Sequence, residues 1–284
     1  MLKKLLGIAP VPTEDGAYSP SRLALKLVTS PKTDLSDAAY ATCYQGDKPK
    51  ILVICTEEHN LTMANGKKFS TGNHPVEALV PMIHLRNAGF EFDIITPTGK
   101  SAKFEMWAMP QEDEDVKQIY ADLKDQIKAP LNLSEFVKNL SKHGSDYSAV
   151  FIPGGHGAMI GLPENKDLGR LIHWAHEQDI YMISICHGPA ALLAADLEGE
   201  NRFPYKGYEL TVFPDSVDKQ TPIVGYMPGH VPWKVGEKLT DLGVTIVNEK
   251  ADKSCHIDRK LITGASPAAA NELGKLAAKT LLGT

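Results

Sequence analysis

A cysteine sits between an apolar run and a glycine-proline pair in Ser184-Ile185-Cys186-His187-Gly188-Pro189. The apolar side predicts a buried strand over 180–185, and the far side predicts a short helix over 189–195. A side chain at such a strand-to-helix turn is held at a strained elbow, the arrangement that presents a nucleophile. The helix N-terminus should favour a thiolate and lower the thiol pKa. The alternative reading, an inert core thiol, fits Cys55 at the end of the first strand better. A second group is Ile152-Pro153-Gly154-Gly155-His156-Gly157. Glycines directly after a strand let backbone approach a ligand, and the N–H groups of Gly154 and Gly155 can face a developing oxyanion. The GxGxxG spacing of a dinucleotide site is absent. His156 reads as a loop donor. Two carboxylates complete the set. Glu77 falls in the first turn of a predicted helix, as a simple N-terminal charge or as a group that exchanges a proton with Cys186. Asp215, just past a strand ending at Phe213, is placed to orient His187.

These residues need a scaffold that brings loops together, and the chain provides an α/β rhythm. Strands are expected over 50–55, 90–96, 147–152, 180–185, 208–213, 244–247 and 260–263. Helices are expected from Pro75 (capped by Asn73) to Gly89, over 167–177, 233–242 and 267–282. This alternation implies a mostly parallel sheet with helices on both faces, which gathers ligands at the carboxyl ends of its strands. Residues 1–47 lack a period and read as an N-terminal arm. Residues 48–97 and 146–284 form the core. Residues 98–145, more polar and carrying two amphipathic helices near 113–128 and 132–142, read as an inserted cap or lid.

With 284 residues, the chain can fill one large α/β domain with a modest cap. The net charge of −5 argues against a nucleic-acid backbone as partner. There is no apolar run long enough for a transmembrane helix. The start, with Lys3 and Lys4 before a short apolar stretch, reads as a mature cytoplasmic N-terminus. Four scattered cysteines suit free thiols in a reducing compartment. Cys255-His256 lacks the partners a metal site needs.

The strings Phe151 to Gly157 and Ser184 to Ala190 resemble the oxyanion loop and nucleophile elbow of the ThiJ/PfpI superfamily. Ser70 to Glu77, Trp107 to Pro110, Phe213 to Ser216, Gly225 to Gly229 and Asn271 to Lys275 narrow the resemblance to its HchA-type branch. That branch is described as a heat-shock chaperone, a glyoxalase III and a deglycase. The resemblance runs from about residue 18 to 282. It implies a flavodoxin-like core with a small lid, a homodimer and no external cofactor. It also implies Cys186 as nucleophile, with His187 and Asp215 completing a triad and Glu77 as the acidic partner. Gly154, Gly155 and the His187 backbone match the oxyanion donors. The activity implied is glutathione-independent conversion of a small 2-oxoaldehyde, methylglyoxal to D-lactate, or deglycation of methylglyoxal adducts. A chaperone holding unfolded clients and a low-activity cysteine peptidase are the competing functions.

The branch can carry a two-histidine, one-carboxylate zinc site. Here the carboxylate position is Glu91, but the histidine positions hold Arg86 and Leu123, which cannot replace imidazole. No metal is expected there.

Overall fold

The computed structural model describes residues 7–143, 146–197 and 203–284. The basic-apolar start through Leu6 lies outside them. In chain order the strands are β1 (Val11–Pro12), β2 (Tyr18–Ser19), β3 (Lys50–Ile54), β4 (Asn60–Thr62), β5 (Lys68–Ser70), β6 (Glu91–Thr96), β7 (Leu131–Asn132), β8 (Tyr147–Ile152), β9 (Tyr181–Ile185), β10 (Glu209–Leu210), β11 (Thr245–Ile246), β12 (Cys255–Asp258) and β13 (Leu261–Gly264). The helices are α1 (Arg22–Val28), α2 (Pro75–Asn87), α3 (Glu114–Asp122), α4 (Lys124–Lys128), α5 (Leu133–Val137), α6 (Leu140–His143), α7 (Lys166–Glu177), α8 (Asp215–Asp218), α9 (Val235–Asp241) and α10 (Ala270–Leu282). Short 3-10 turns cover Met106–Ala108, His156–Met159, Gly188–Asp196 and Pro267–Ala269.

The central sheet has seven strands in the order β12-β13-β9-β8-β3-β6-β7. Every neighbouring pair is parallel except β12–β13, a hairpin at one edge. Successive side chains of a strand face opposite ways, and here both faces are covered. Ile51, Val53, Phe151, Ile183 and Ile185 pack on one side, beneath α2 and α10. Leu52, Ile54, Val150, Ile152 and Met182 pack on the other, beneath α7 and the Gly188–Asp196 turn. The expected doubly covered α/β sheet is therefore present. Each such aliphatic side chain contributes about 1.5–3 kcal/mol by leaving water.

Three local expectations change. The strand over 208–213 shrinks to β10, because side chains take over its ladder. Thr211 N–H donates to Thr263 Oγ1, Val212 N–H to Asn248 Oδ1, and Phe213 N–H to the Cys186 carbonyl. The last bond ties this segment directly to the elbow. At the start of α2 the cap position is His74, not Asn73. The Asn73 amide instead accepts from Thr56 N–H and donates to the Thr56 and Lys103 carbonyls, pinning two loops above the strand ends. The two helices expected over 113–128 and 132–142 are each broken, at Leu123 and after Val137.

Segment 98–145 supplies the edge strand β7, and its helix α3 packs on α2. The arm carries helix α1 and the strands β1 and β2, which join β5 and β4 of the following segment in a small sheet, β1-β2-β5-β4. It is fastened by Tyr40 Oη against His84 Nδ1 at 2.8 Å and by Ser36 N–H donating to Asn271 Oδ1 at 3.0 Å. Among the described residues no helix is long and apolar enough to cross a membrane.

Candidate active site

Cys186 follows β9 with φ of +59°, in the left-handed region that side chains other than glycine rarely enter. Such strain marks places where the surroundings hold one geometry for a reason. Here they do so through main-chain bonds. Cys186 N–H donates to the Gly264 carbonyl at 2.8 Å and its own carbonyl accepts from Phe213 N–H at 2.9 Å. The thiol is thereby aimed at the carboxyl edge of the sheet, where it is 3% exposed.

His187 Nδ1 lies 3.2 Å from Cys186 Sγ, and His187 Nε2 lies 2.8 Å from Asp218 Oδ2. With Nε2–H donated to the carboxylate, Nδ1 faces the thiol as an acceptor. This is the cysteine-histidine-carboxylate relay expected from the sequence, but with a different carboxylate. Asp215 does not meet His187. Its oxygens accept from the Gly236 and Glu237 N–H groups at 3.1 and 2.9 Å, capping the start of α9. Both aspartates belong to the one-turn helix α8. Three residues turn a helix by about 300° and climb about 4.5 Å, so one carboxylate reaches inward while the other points at a neighbouring helix.

Asp218 serves a second ring. Its Oδ1 lies 3.2 Å from His156 Nε2, and the two imidazoles overlap with centroids 3.9 Å apart. Burial pushes Asp218 up, but His187 and His156 outweigh it and hold the carboxylate far below its usual range. His156, read from sequence as a loop donor, thus belongs to the relay. Burial and the neighbouring His187 keep its own pKa depressed.

Glu77 lies in the first turn of α2, fully buried. Its oxygens have no partner in hydrogen-bond geometry, although the Cys186 thiol and the Gly155 amide lie near enough to favour its charge. Burial dominates and raises its pKa well above the carboxylate range, with Glu105 adding to the effect. Gly154 allows this placement. A Cβ there would lie 1.9 Å from Glu77 Oε2 and 2.6 Å from the Ile185 carbonyl. Gly155 has φ of +98° and lines the cavity, whereas Gly154 lies behind it against Glu77 and the Cys186 Cβ.

The expectation of a lowered thiol pKa is reversed. Burial, the Glu77 carboxylate and then Asp218 push the Cys186 thiol well above its usual value, and the His187 backbone only partly opposes them. A 3-10 turn beside two carboxyl groups does not offset desolvation. Burial thus favours the proton-bearing form of both the thiol and Glu77, the two groups acting against each other's ionisation. The site is therefore built to move the proton as the thiol attacks.

The cavity above Cys186 has a volume of about 480 Å³. Its walls include three groups the sequence did not single out. Glu105 is 1% exposed, with Oε1 accepting from Thr71 Oγ1 at 2.6 Å. Tyr226 is half-buried, and burial and then Glu105 raise its pKa well above the usual value. The end of α1, Leu27 to Thr29, brings the arm to the cavity rim. Asp218 had a signal, as the second aspartate of Pro214-Asp215-Ser216-Val217-Asp218. Glu105 had none, lying in a polar segment far from any strand end. Nothing in the pattern of α1 pointed at the site.

The residues do not fit the zinc site that the resemblance allows. Arg86 Nη1 pairs with Asp122 Oδ2 at 2.8 Å, Leu123 is buried in the apolar core, and Glu91 is exposed. Among the described residues, the group whose ligand atoms come within metal-binding distance is His156, His187 and Asp218. Hydrogen bonds within the relay already occupy those atoms.

A doubly covered parallel sheet with a strained cysteine elbow and a glycine loop at its carboxyl edge defines a flavodoxin-like protein with a thiol site. The chain belongs to the DJ-1/PfpI family, whose pattern it matches over residues 69–214. It is 50% identical over 275 residues to the protein/nucleic acid deglycase HchA of Pseudomonas aeruginosa (strain UCBPP-PA14), covering 96% of this chain and 94% of that one. It is also 50% identical over 269 residues to the HchA of Escherichia coli O157:H7 (strain EC4115), covering 95% and 93%. Among solved structures, glyoxalase III of Candida albicans superposes with a TM-score of 0.62 at 24% identity, covering 81% of this chain and 96% of that one. The Rapid Encystment Protein of Francisella tularensis does so with a TM-score of 0.67 at 23% identity, covering 82% and 98%.

Proposed function

We propose that this enzyme converts 2-oxoaldehydes such as methylglyoxal to 2-hydroxy acids without glutathione, and releases methylglyoxal adducts by the same thiol. The observation that carries this reading is the buried Cys186–His187–Asp218 relay with the buried carboxyl of Glu77, its pKa raised by burial, beside it in the lining of one cavity. His187 takes the Cys186 proton as sulfur bonds to the aldehyde carbon, C1. Asp218 holds the resulting imidazolium. The C1 oxygen receives the Glu77 proton, with the Gly155 amide as the nearest candidate donor while charge develops. Glu77, now a carboxylate, removes the C1 hydrogen and returns it to C2. With the C1 hydroxyl proton passing in net to the C2 oxygen, this makes a thioester. Water cleaves it to the hydroxy acid, D-lactate from methylglyoxal, as His187 returns its proton to sulfur and the attacking water gives one to Glu77. No external oxidant is required, because C1 is oxidised as C2 is reduced.

The cavity is far roomier than a three-carbon aldehyde requires and falls within the range of ordinary ligand sites. That room favours a glycated side chain as a second entrant, in keeping with the deglycase name of the relatives. Glu77→Gln keeps the shape and removes the carboxylate base. Its lactate formation should fall about 10²–10⁴-fold with folding intact. Near-normal lactate formation by Glu77→Gln would remove it from the reaction.

One observation favours a second reading. Leu27 and Val224 line the cavity and remain 66% and 38% exposed, beside Ile223 at 66%. An apolar rim of this kind suits a holding surface for unfolded clients, or the contact of a homodimer. Suppression of client aggregation should then survive Cys186→Ala and weaken in Leu27→Ser/Ile223→Ser. Loss with the cysteine alone would contradict a separate holding surface.

A further inference from the structure

The relay and Glu77 account for one end of the cavity. Its wall also carries Glu105, a buried carboxyl group within electrostatic reach of Glu77 and His156 that the steps above leave unused. It stands after a loop held over the strand ends. Its own N–H donates to the Asn73 carbonyl at 3.0 Å, and Oε1 accepts from Thr71 Oγ1. Oε2 has no hydrogen-bond partner, although it is buried and the residue lines the cavity. Burying a carboxyl oxygen without a partner destabilises the fold. A group retained at that cost in the wall of the cavity above the thiol calls for a ligand atom.

We propose that Glu105 is a second catalytic acid, which protonates the C2 oxygen of a 2-oxoaldehyde bound to Cys186 and so gives the enzyme its preference for aldehydes carrying an adjacent carbonyl. The proposal rests on the thiol reading of the site and deepens it.

The protons balance. After sulfur has added to C1, Glu77 removes the C1 hydrogen. The electron pair of that C–H bond forms the C1–C2 double bond. The C2 carbonyl pair moves to oxygen, which takes the Glu105 proton. Glu77 then delivers its proton to C2 while the C1 hydroxyl proton passes to the Glu105 carboxylate. The thioester carbonyl forms, and Glu105 is again an acid. A simple aldehyde has no C2 oxygen and gives Glu105 nothing to do.

The group is suited to neutral pH. Burial raises Glu105 to about 7, opposed by the His156 charge, the Thr71 hydrogen bond and the nearby His156 and Gly72 amides. The titratable groups facing it are His156 from the 156–159 turn, Glu77 from α2 and Tyr226 from the loop after α8. The reaction requires the protonated form. The rate should therefore hold below about pH 7 and fall above it.

The test is lactate formation from methylglyoxal by the full-length wild-type protein and Glu105→Gln in glutathione-free buffer across pH. Thermal unfolding and alkylation of Cys186 by iodoacetamide are measured in parallel. Glutamine can keep the contact with Thr71 but cannot relay a proton. Glu105→Gln should lose about 10²-fold or more in kcat, with KM little changed, and its alkaline limb should vanish. Thiol alkylation should not change. Thr71→Val removes a hydrogen bond that favours the charged form, so its alkaline limb should move to higher pH. Full kcat in Glu105→Gln beside an active wild type would overturn the proposal alone. So would an unmoved limb in Thr71→Val, which decides the matter should Glu105→Gln not fold. Absence of lactate from the wild type would overturn the underlying reading and the proposal together.

Discussion

Asp218→Asn is expected to lower methylglyoxal turnover by about 10⁴-fold, the scale on which triads fail when their carboxylate becomes an amide. The reason is the tautomer. Asp218 accepts at both oxygens, from His187 at 2.8 Å and His156 at 3.2 Å. Asparagine offers one acceptor and one donor, so it can satisfy only one ring as before. If its NH₂ faces His187, the imidazole proton shifts to Nδ1, which then points a hydrogen at Cys186 and cannot receive the thiol proton. If it faces His156, that ring must turn or deprotonate at Nε2, and no carboxylate charge remains to stabilise the His187 imidazolium. Asp215→Ala should leave kcat near wild type and remove a helix cap, at a cost of about 0.5–2 kcal/mol in stability. The acid stability profile separates the two further. The Asp218 pKa is depressed in the folded protein, so its contribution is present above the unfolded carboxylate value near 4 and lost as pH falls below it. Asp218→Asn should lose that part of the acid dependence. Denaturant titrations of both variants across pH, beside the kinetics, check each statement. A large kinetic defect in Asp215→Ala with an active Asp218→Asn would restore the assignment expected from the sequence.

Cys186→Ala is expected to abolish lactate formation, a loss of about 10⁴–10⁶-fold, because the bond to C1 has no other donor within reach. Cys55 is buried beneath the strand ends, where desolvation raises it to about 12. Cys255 lies on β12, away from the cavity, and is likewise raised to about 12, chiefly by burial. The fold should tolerate the change. Alanine at φ of +59° meets the same backbone strain as cysteine, and it takes a thiol away from two carboxyl groups that disfavour its ionisation. The melting temperature should stay close to wild type, so that lost turnover reports chemistry.

Much of this site was legible because its chemistry depends on neighbours in sequence. Cys186, His187 and the two glycines read directly from a strand end, and the alternating burial of β3, β8 and β9 follows from apolar runs. Where partners come from afar, the reading failed. Asp215 was read as the carboxylate behind His187, but Asp218, three residues on, makes that contact; the orientation of one helical turn separates them. The strand after Tyr208 looked complete, yet Thr263 and Asn248 take its hydrogen bonds and lead Phe213 under the elbow. The lowered thiol pKa rested on a helix N-terminus. It did not anticipate that Glu77, 23 residues past the end of β3, would be sealed against the same sulfur. Glu105 and the α1 residues reach the cavity only through tertiary packing, which leaves no periodic trace.

The central claim is that Cys186 bonds to the aldehyde and carries it to the hydroxy acid. Its most direct test mixes purified wild-type and Cys186→Ala protein with methylglyoxal in glutathione-free buffer and follows D-lactate by a stereospecific assay. The account requires steady D-lactate formation from the wild type and none above background from the variant. D-lactate formed at comparable rates by Cys186→Ala would contradict it.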